Sequence, residues 1–438
     1  MIPDFTSVPT GQRLRIARAA VPVALAEDAP AGDADGLARV DIDIADGRVE
    51  RVSAAGATAA EGATLDLDDG LVLPCLVDMH THIDKGHIWP RRPNPDGTFA
   101  GALLAAKEDR EARWTAEDVR RRMEFSLACA YAHRTALLRT HLDSIPPQHR
   151  ISWPVFAEVR AAWAGRVELQ AAAIMTLDAR NDDAALADIG DVVAAHGGVF
   201  GGVTMPGADG ANGIRRAMRV AAERGLDLDL HVDETLDPGV ATLRTVADTA
   251  IEIGFPGRIV CGHCCSLSVQ EEVEALATLD RVARAGIAIV SLPMCNLYLQ
   301  DRGGGGRTPR RRGVPLLHEM AARGDPVAVA SDNTRAPFYA YGDLDMIEVF
   351  REATRIFHFD HPVGAWPRAI AAAPGAILGR PERGRIAAGL PADLILFRAR
   401  TWTELNARSQ ADRVVLRAGR PIDRRLPAYR DLDDLMGE

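Results

Sequence analysis

The stretch MHTHIDKGH, residues 79–87, follows the apolar run LVLPCLV and brings three imidazoles, a carboxylate and an ammonium close together. His80 and His82 stand two apart, and on a strand residues at that spacing point to the same side, so both rings can reach one ion. Neutral imidazole is a ligand for divalent transition metals, and the chemistry such an ion supplies is the activation of water for hydrolysis. A polar loop is the plain alternative. The same residue types return further along: His231 and Glu234 in HVDE, His263 in CGHCC and Asp332 in ASDN.

Each of these residues ends an apolar run. From about residue 71 to residue 335 the chain repeats a short apolar run, a polar punctuation and a longer amphipathic stretch, which is the rhythm of β/α alternation. The runs are LVLPCLVDMH (71–80), TALLRTHLD (135–143), VELQAAAIM (167–175), GGVFGGVTM (197–205), DLDLHVDE (227–234), RIVCGHCC (258–265), IAIVSLP (287–293) and PVAVASDN (326–333). Eight of them predict a (β/α)8 barrel, in which chemistry sits at the C-terminal strand ends. Between them, AEDVRRRMEFSLACAYAH and QEEVEALATLDRVARAG carry apolar residues at helical spacing, with Gly286 as a stop for the second. The flanks alternate short β-like pieces with Gly and Asp turns, predicting one small β-domain built from residues 1–70 plus 385–438 around a barrel of residues 71–384.

Composition narrows the function classes. Acidic residues outnumber basic ones 61 to 51, so the surface as a whole repels phosphate backbones and anionic lipid. Nucleic acid and membrane are therefore not expected as partners. No apolar run approaches the roughly 18 residues of a membrane span, and no signal-like N-terminus stands out, so a cytoplasmic protein is expected. Six cysteines in 438 residues, three of them in CGHCC, read as reduced and buried thiols rather than a disulfide framework or zinc cluster. The glycine- and arginine-rich stretch 303–313 reads as a mobile loop with solvated charges, a phosphate clamp being the alternative. Only two lysines occur, Lys85 and Lys107, which marks Lys85 beside the HxH pair.

Strand ends in the order HxH, His, His, Asp, with HTHID, LRTHLD, HVDE, GHC, NLYLQDR and SDN around them, resemble the amidohydrolase superfamily and, within it, the cytosine deaminase-like family. The resemblance covers nearly the whole chain. It implies a distorted (β/α)8 TIM barrel with a small β-sandwich domain, and one divalent ion, Zn or Fe, because the fourth run ends VTMPG without the lysine that bridges two metals elsewhere in the superfamily. It implies His80, His82, His231 and Asp332 as ligands, Glu234 as proton carrier and His263 as hydrogen-bond partner of the water or the tetrahedral oxygen. Asp332 would also accept the water's proton.

The implied activity is hydrolytic deamination of a cytosine-like N-heterocycle by a homo-oligomer acting on a small molecule. Hydrolysis of a substituted amine or cyclic amide on a triazine- or creatinine-like ring is the second reading, and a non-catalytic binding protein the third. Substrate contacts are expected from Lys85, Phe99, Thr176, Asn333 and Phe338. Of these, Thr176 stands where cytosine deaminases carry a glutamine, Asn333 where they carry a second aspartate and Phe338 where they carry a tryptophan, while Lys85 matches the HxDK of the triazine branch, N-isopropylammelide amidohydrolase. Asp84, His87 and His141 match no ligand position. Asp84 is a candidate to hold a ligand histidine in its tautomer.

Overall fold

All eight apolar runs form strands, and their small, β-branched and aliphatic residues are buried on both faces, as a parallel sheet under helices requires. In chain order the barrel strands are Leu76–Thr81, Thr135–Asp143, Glu168–Ile174, Phe200–Thr204, Leu228–Val232, Ile259–His263, Ala288–Ser291 and Val327–Val329. This computed structural model describes residues 7–9, 11–302, 306–408 and 412–437. The first three strands form one sheet; the fourth to the eighth, with the short strand Thr176–Leu177, form another. Isolated parallel bridges, Ala172 to Val199 and Thr81 to Asp332, join the two sheets at both edges and complete a (β/α)8 barrel.

The amphipathic segments become the connecting helices. AEDVRRRMEFSLACAYAH is the helix Ala116–His133, and Glu272–Ala285 ends at Gly286 in the left-handed conformation. The first strand and the helix Ala116–His133 are separated by an additional helix, Phe99–Arg113, capped by the Thr98 hydroxyl, which accepts from Gly101 N at 3.0 Å.

Contacts divide the chain into two compact units: Met1–Val77, Tyr131–Ala136 and Asp345–Leu426 in one, and Asp78–Ala130, Leu137–Leu344 and Pro427–Glu438 in the other. The first contains two four-stranded sheets. One is ordered Arg48–Ala54, Leu37–Ala45, Arg13–Pro22, Ala63–Asp66; the other Arg420–Pro421, Arg413–Arg417, Leu394–Phe397, Val72–Pro74. Ile16, Val40, Ile42 and Leu65 from the first sheet share one core with Leu394, Leu396 and Leu416 from the second, so an N-terminal and a late segment of the chain build one β-sandwich, while Pro427–Glu438 belongs to the other unit. No helix among the described residues is long and apolar enough to cross a membrane.

Candidate active site and metal centre

The C-terminal ends of the first, fifth and eighth barrel strands aim four donor atoms at one point. His80 Nε2 lies 3.1 Å from His231 Nε2, which lies 3.2 Å from His82 Nε2. Asp332 Oδ1 is 3.2 Å from His82 Nε2 and 3.8 Å from His80 Nε2. All four side chains are buried. Tetrahedral ligands at about 2.0–2.1 Å from one ion stand about 3.3 Å from each other, so this spacing fits a divalent cation. Without a cation the arrangement is unfavourable: three imidazole edges converge on each other and on a carboxylate, and the Nδ1 atoms and Asp332 Oδ2 have no protein partner. Burial, the largest cause, and the neighbouring imidazoles push the pKa of His80 and His231 well below the usual value, while at His82 burial is followed by Lys85; all three are neutral, as ligands must be. Burial alone raises Asp332 to about 6, which a bound cation would reverse.

Local backbone delivers these groups at a cost. His263 (φ 70°), Asp332 (φ 66°) and Asp233 (φ 50°) all adopt the left-handed conformation that L-residues disfavour, a pattern that clusters at functional sites. Gly262 serves the same end: a Cβ there would stand 2.9 Å from His80 Cε1, so glycine leaves room for the ring. Ser331 closes the ring below, donating its hydroxyl and its N–H to the buried Asp78.

Glu234, beyond His231, is held by the helix Pro293–Leu299 and the residue after it. Asn296 Nδ2 donates to Glu234 Oε1 at 3.4 Å, and Gln300 Nε2 donates to the Glu234 carbonyl at 3.2 Å. Burial first, and the Asp332 carboxylate second, raise its pKa well above the ordinary glutamate range, with Lys85 opposing. His263 faces the same space and is pushed down to about 3 by burial. The two acids that flank Glu234 in sequence have other duties. Asp233 accepts from Thr242 N at 2.9 Å and Leu243 N at 3.0 Å, anchoring the helix Thr242–Ile253, and Asp237 accepts from Gly239 N.

A cavity opens over this cluster, walled by Phe99, Leu103, Ile174, Met175, Val203 and Phe338 and reached by Lys85, Arg110, Thr176 and Asn333. All five residues expected to touch substrate therefore line it, each with a specific disposition. Lys85 Nζ donates to Asp143 Oδ1 at 3.1 Å and stands 5.3 Å from the centre of the Phe338 ring. Arg110 holds the other Asp143 oxygen at 3.0 Å. Phe99 and Phe338 meet edge to face at 5.7 Å, forming one corner rather than two walls of a slot. Asn333 donates to Asp332 Oδ1 at 2.9 Å, which leaves its Oδ1 as a free acceptor. The Thr176 hydroxyl donates to Asp178 Oδ1 at 3.2 Å.

Other residues fall differently from their expectations. Asp84 accepts from Asp143 N at 2.7 Å and from no histidine. His87 packs on Phe125 with neither ring nitrogen paired. His141 joins the ligand-like group: its ring centre is 4.0 Å from that of His80, and its Nε2 is 3.2 Å from the buried Asp229. It sits two residues before the end of the second strand, where LRTH was a visible signal. Arg110, on the helix Phe99–Arg113, gave no sequence signal, and Asn296 opens the NLYLQDR stretch that carried the family resemblance but no role for it. All six cysteines are buried and unpaired. In the 303–313 stretch, residues 303–305 lie outside the described residues; beyond them, the Asp301 carboxylate gathers the Arg307 side chain and the Arg310 and Arg311 N–H groups, and the arginines are exposed.

Comparison with known proteins adds an independent line. A family model described as the amidohydrolase family matches residues 184–422. The chain is 56% identical over 434 residues, 99% of each chain, to a pterin deaminase of Rhizobium rhizogenes (strain K84). It is 23% identical to N-isopropylammelide isopropyl amidohydrolase of Pseudomonas sp. (strain ADP), over 82% of this chain and 87% of that one. Among solved structures, 5-methylcytosine deaminase of Klebsiella pneumoniae liganded with 5-fluorocytosine aligns with a TM-score of 0.80 at 22% identity, covering 94% of this chain and 97% of that one.

Proposed function

The chain belongs to the amidohydrolase family and is a hydrolase of carbon–nitrogen bonds, and from that premise we propose that it removes the exocyclic amino group of a pterin as ammonia. The observation that carries the substrate is the 56% identity, end to end, with a pterin deaminase. The cavity supports it, since a bicyclic ring needs the apolar walls and the few convergent polar groups found there. This moves the substrate from the cytosine-like ring expected from the motifs to a larger heterocycle with the same amidine carbon.

His80, His82, His231 and Asp332 would hold one divalent ion, Zn or Fe by their N and O donors. Such an ion, when bound, lowers the pKa of water from 15.7 toward about 7 and so supplies a nucleophile at neutral pH. Glu234, whose pKa is raised, delivers a proton to the ring nitrogen beside the attacked carbon and then a proton to the leaving amine. The new carbon–oxygen bond forms from water, the carbon–nitrogen bond breaks, one of water's protons stays on the ring nitrogen and the other leaves with the amino group as ammonia, giving the ring carbonyl. His263 meets the oxygen as that charge develops. Asn333 Oδ1 accepts from a ring N–H, and Lys85 Nζ, steadied by Asp143, donates to the ring carbonyl oxygen.

A second reading, loss of a substituted amine from a triazine-like ring, is favoured by HIDK at 82–85. An ammonia-release assay separates the two: metal-loaded protein is expected to turn over pterin well ahead of cytosine, aminotriazines and N-alkylated aminotriazines. Turnover of the alkylated triazine with none of pterin would reverse the assignment. No turnover of any, with the metal bound, would favour the binding-protein reading.

A further inference from the structure

His263 touches two groups through the same nitrogen, and the choice between them decides what its other nitrogen can do. Its Nδ1 lies 2.9 Å from Asn296 Nδ2 and 3.4 Å from Glu234 Oε1. Its Nε2 is buried, has no protein partner and belongs to a ring that lines the cavity. If Nδ1 carried the proton it would donate to Glu234, and Nε2 would present a lone pair, able to take a proton or bind a cation. If Nδ1 accepts, the single proton of the neutral ring sits on Nε2.

Asn296 selects the second arrangement. Its side chain is fully buried and faces two acceptor positions at once, His263 Nδ1 and Glu234 Oε1. Oε1 accepts both in the carboxylate and in the acid that carries its proton on Oε2, so there the amide presents its NH2 group; turned the other way, its Oδ1 would oppose Oε1. The helix holds it there: Asn296 N donates to Leu292 O at 2.9 Å, and Gln300, one turn on, is tied to the Glu234 carbonyl. One helical face thus fixes the acid and the imidazole against each other.

We propose that Asn296 is a positioning residue that keeps the His263 proton on Nε2, so that His263 serves the reaction as a hydrogen-bond donor and is barred both from acting as a base and from joining the metal ligands. The catalytic half of this statement rests on the deaminase reading above; the tautomer itself does not.

The test is nitrogen NMR on full-length, zinc-loaded protein labelled with 15N-histidine, the His263 signals being assigned by their loss in His263→Gln. The expected wild-type spectrum has a protonated Nε2 and a bare Nδ1. In Asn296→Asp, which offers only acceptors, the proton moves to Nδ1; zinc content and circular dichroism stay as in wild type, and kcat on pterin falls roughly 100-fold with KM little changed. A wild-type His263 protonated on Nδ1 overturns the proposal without recourse to any variant. So does an Asn296→Asp protein that folds and keeps its proton on Nε2, or one whose tautomer switches with no change in kcat. If wild-type protein does not turn over pterin, the deaminase reading fails separately and the tautomer is still read.

Discussion

Glu234 and His87 are both displaced from their ordinary pKa by burial, with opposite meanings. Glu234 is raised, and its neighbours are His263 and the Asp332 carboxylate, so the displacement suits the proton-carrying role proposed for it. Glu234→Gln keeps the shape and the hydrogen bonds of the side chain but not the proton. It should retain a wild-type metal content by elemental analysis and lose at least about 100-fold in ammonia release. A variant as fast as wild type would remove Glu234 from the mechanism. His87 touches Phe125 and no substrate-lining group, and burial depresses it to about 3. It is neutral when folded, whereas the unfolded chain takes up a proton below about 6.5. Its contribution to stability is therefore intact above about pH 6.5 and is lost as the pH falls toward 3, by roughly 2 kcal/mol already at pH 5. Asparagine tolerates the φ of 65° at this position, so His87→Asn should fold. Urea midpoints at pH 7 and pH 5 should differ less for His87→Asn than for wild type, and an unchanged difference would acquit His87. Such residues also mark where sequence reading stops. HxH, HVDE and ASDN announce themselves by type and spacing, but the asparagine of NLYLQDR carries only a resemblance, and its role is invisible until its buried partners are known.

At the scale of elements, the strands were legible because each is a short apolar run closed by a polar residue, and that pattern is what burial on both faces demands. The helix Phe99–Arg113 was not. The residues it buries are Gly101, Ala102, Ala105, Ala106 and Asp109, too small and too mixed to make an apolar stripe, so nothing in the pattern marks Phe99 as the start of a helix. Nor does a sequence distinguish a strand end that points a histidine inward from one that must also yield space to it. Gly262 is such a place, with the His80 ring against it. In Gly262→Ala the new methyl group must displace either the strand or a ring whose Nε2 is one of four converging donors. The strand is paired on both sides, to Leu228–Val232 and Ala288–Ser291, so the ring moves. The expected outcome is a folded protein whose metal affinity falls about 10- to 100-fold, read by competition with a chromogenic chelator. Affinity equal to wild type would mean that the ring has slack.

For the molecule as a whole, the donors come from distant parts of the chain: His80 and His82 from the first barrel strand, His231 from the fifth and Asp332 from just beyond the eighth. A bound cation would therefore tie together three strands that are distant in sequence, and the parallel bridge from Thr81 to Asp332 lies beside that tie. An unfolded chain holds no such arrangement of donors, so binding favours the folded state by RT ln(1 + [L]/Kd), about 2.7 kcal/mol when free metal is 100 times Kd. The proposed substrate, by contrast, was not legible in the motifs, because the residues expected to read the ring depart from those of cytosine deaminases and the pterin reading rests on similarity along the entire chain. Removing the metal should show its structural share independently of substrate. Chelation followed by dialysis should lower the thermal midpoint by about 5–10 °C, since a unit of this size shifts by roughly 2–4 °C per kcal/mol. Adding back zinc in slight excess should restore it, while calcium, which prefers six or more oxygen ligands, should not. Protein shown by elemental analysis to have lost its metal, yet melting where the loaded protein melts, would mean that the barrel supplies this constellation at no gain in stability from the ion, and that the four donors are held by the strands alone.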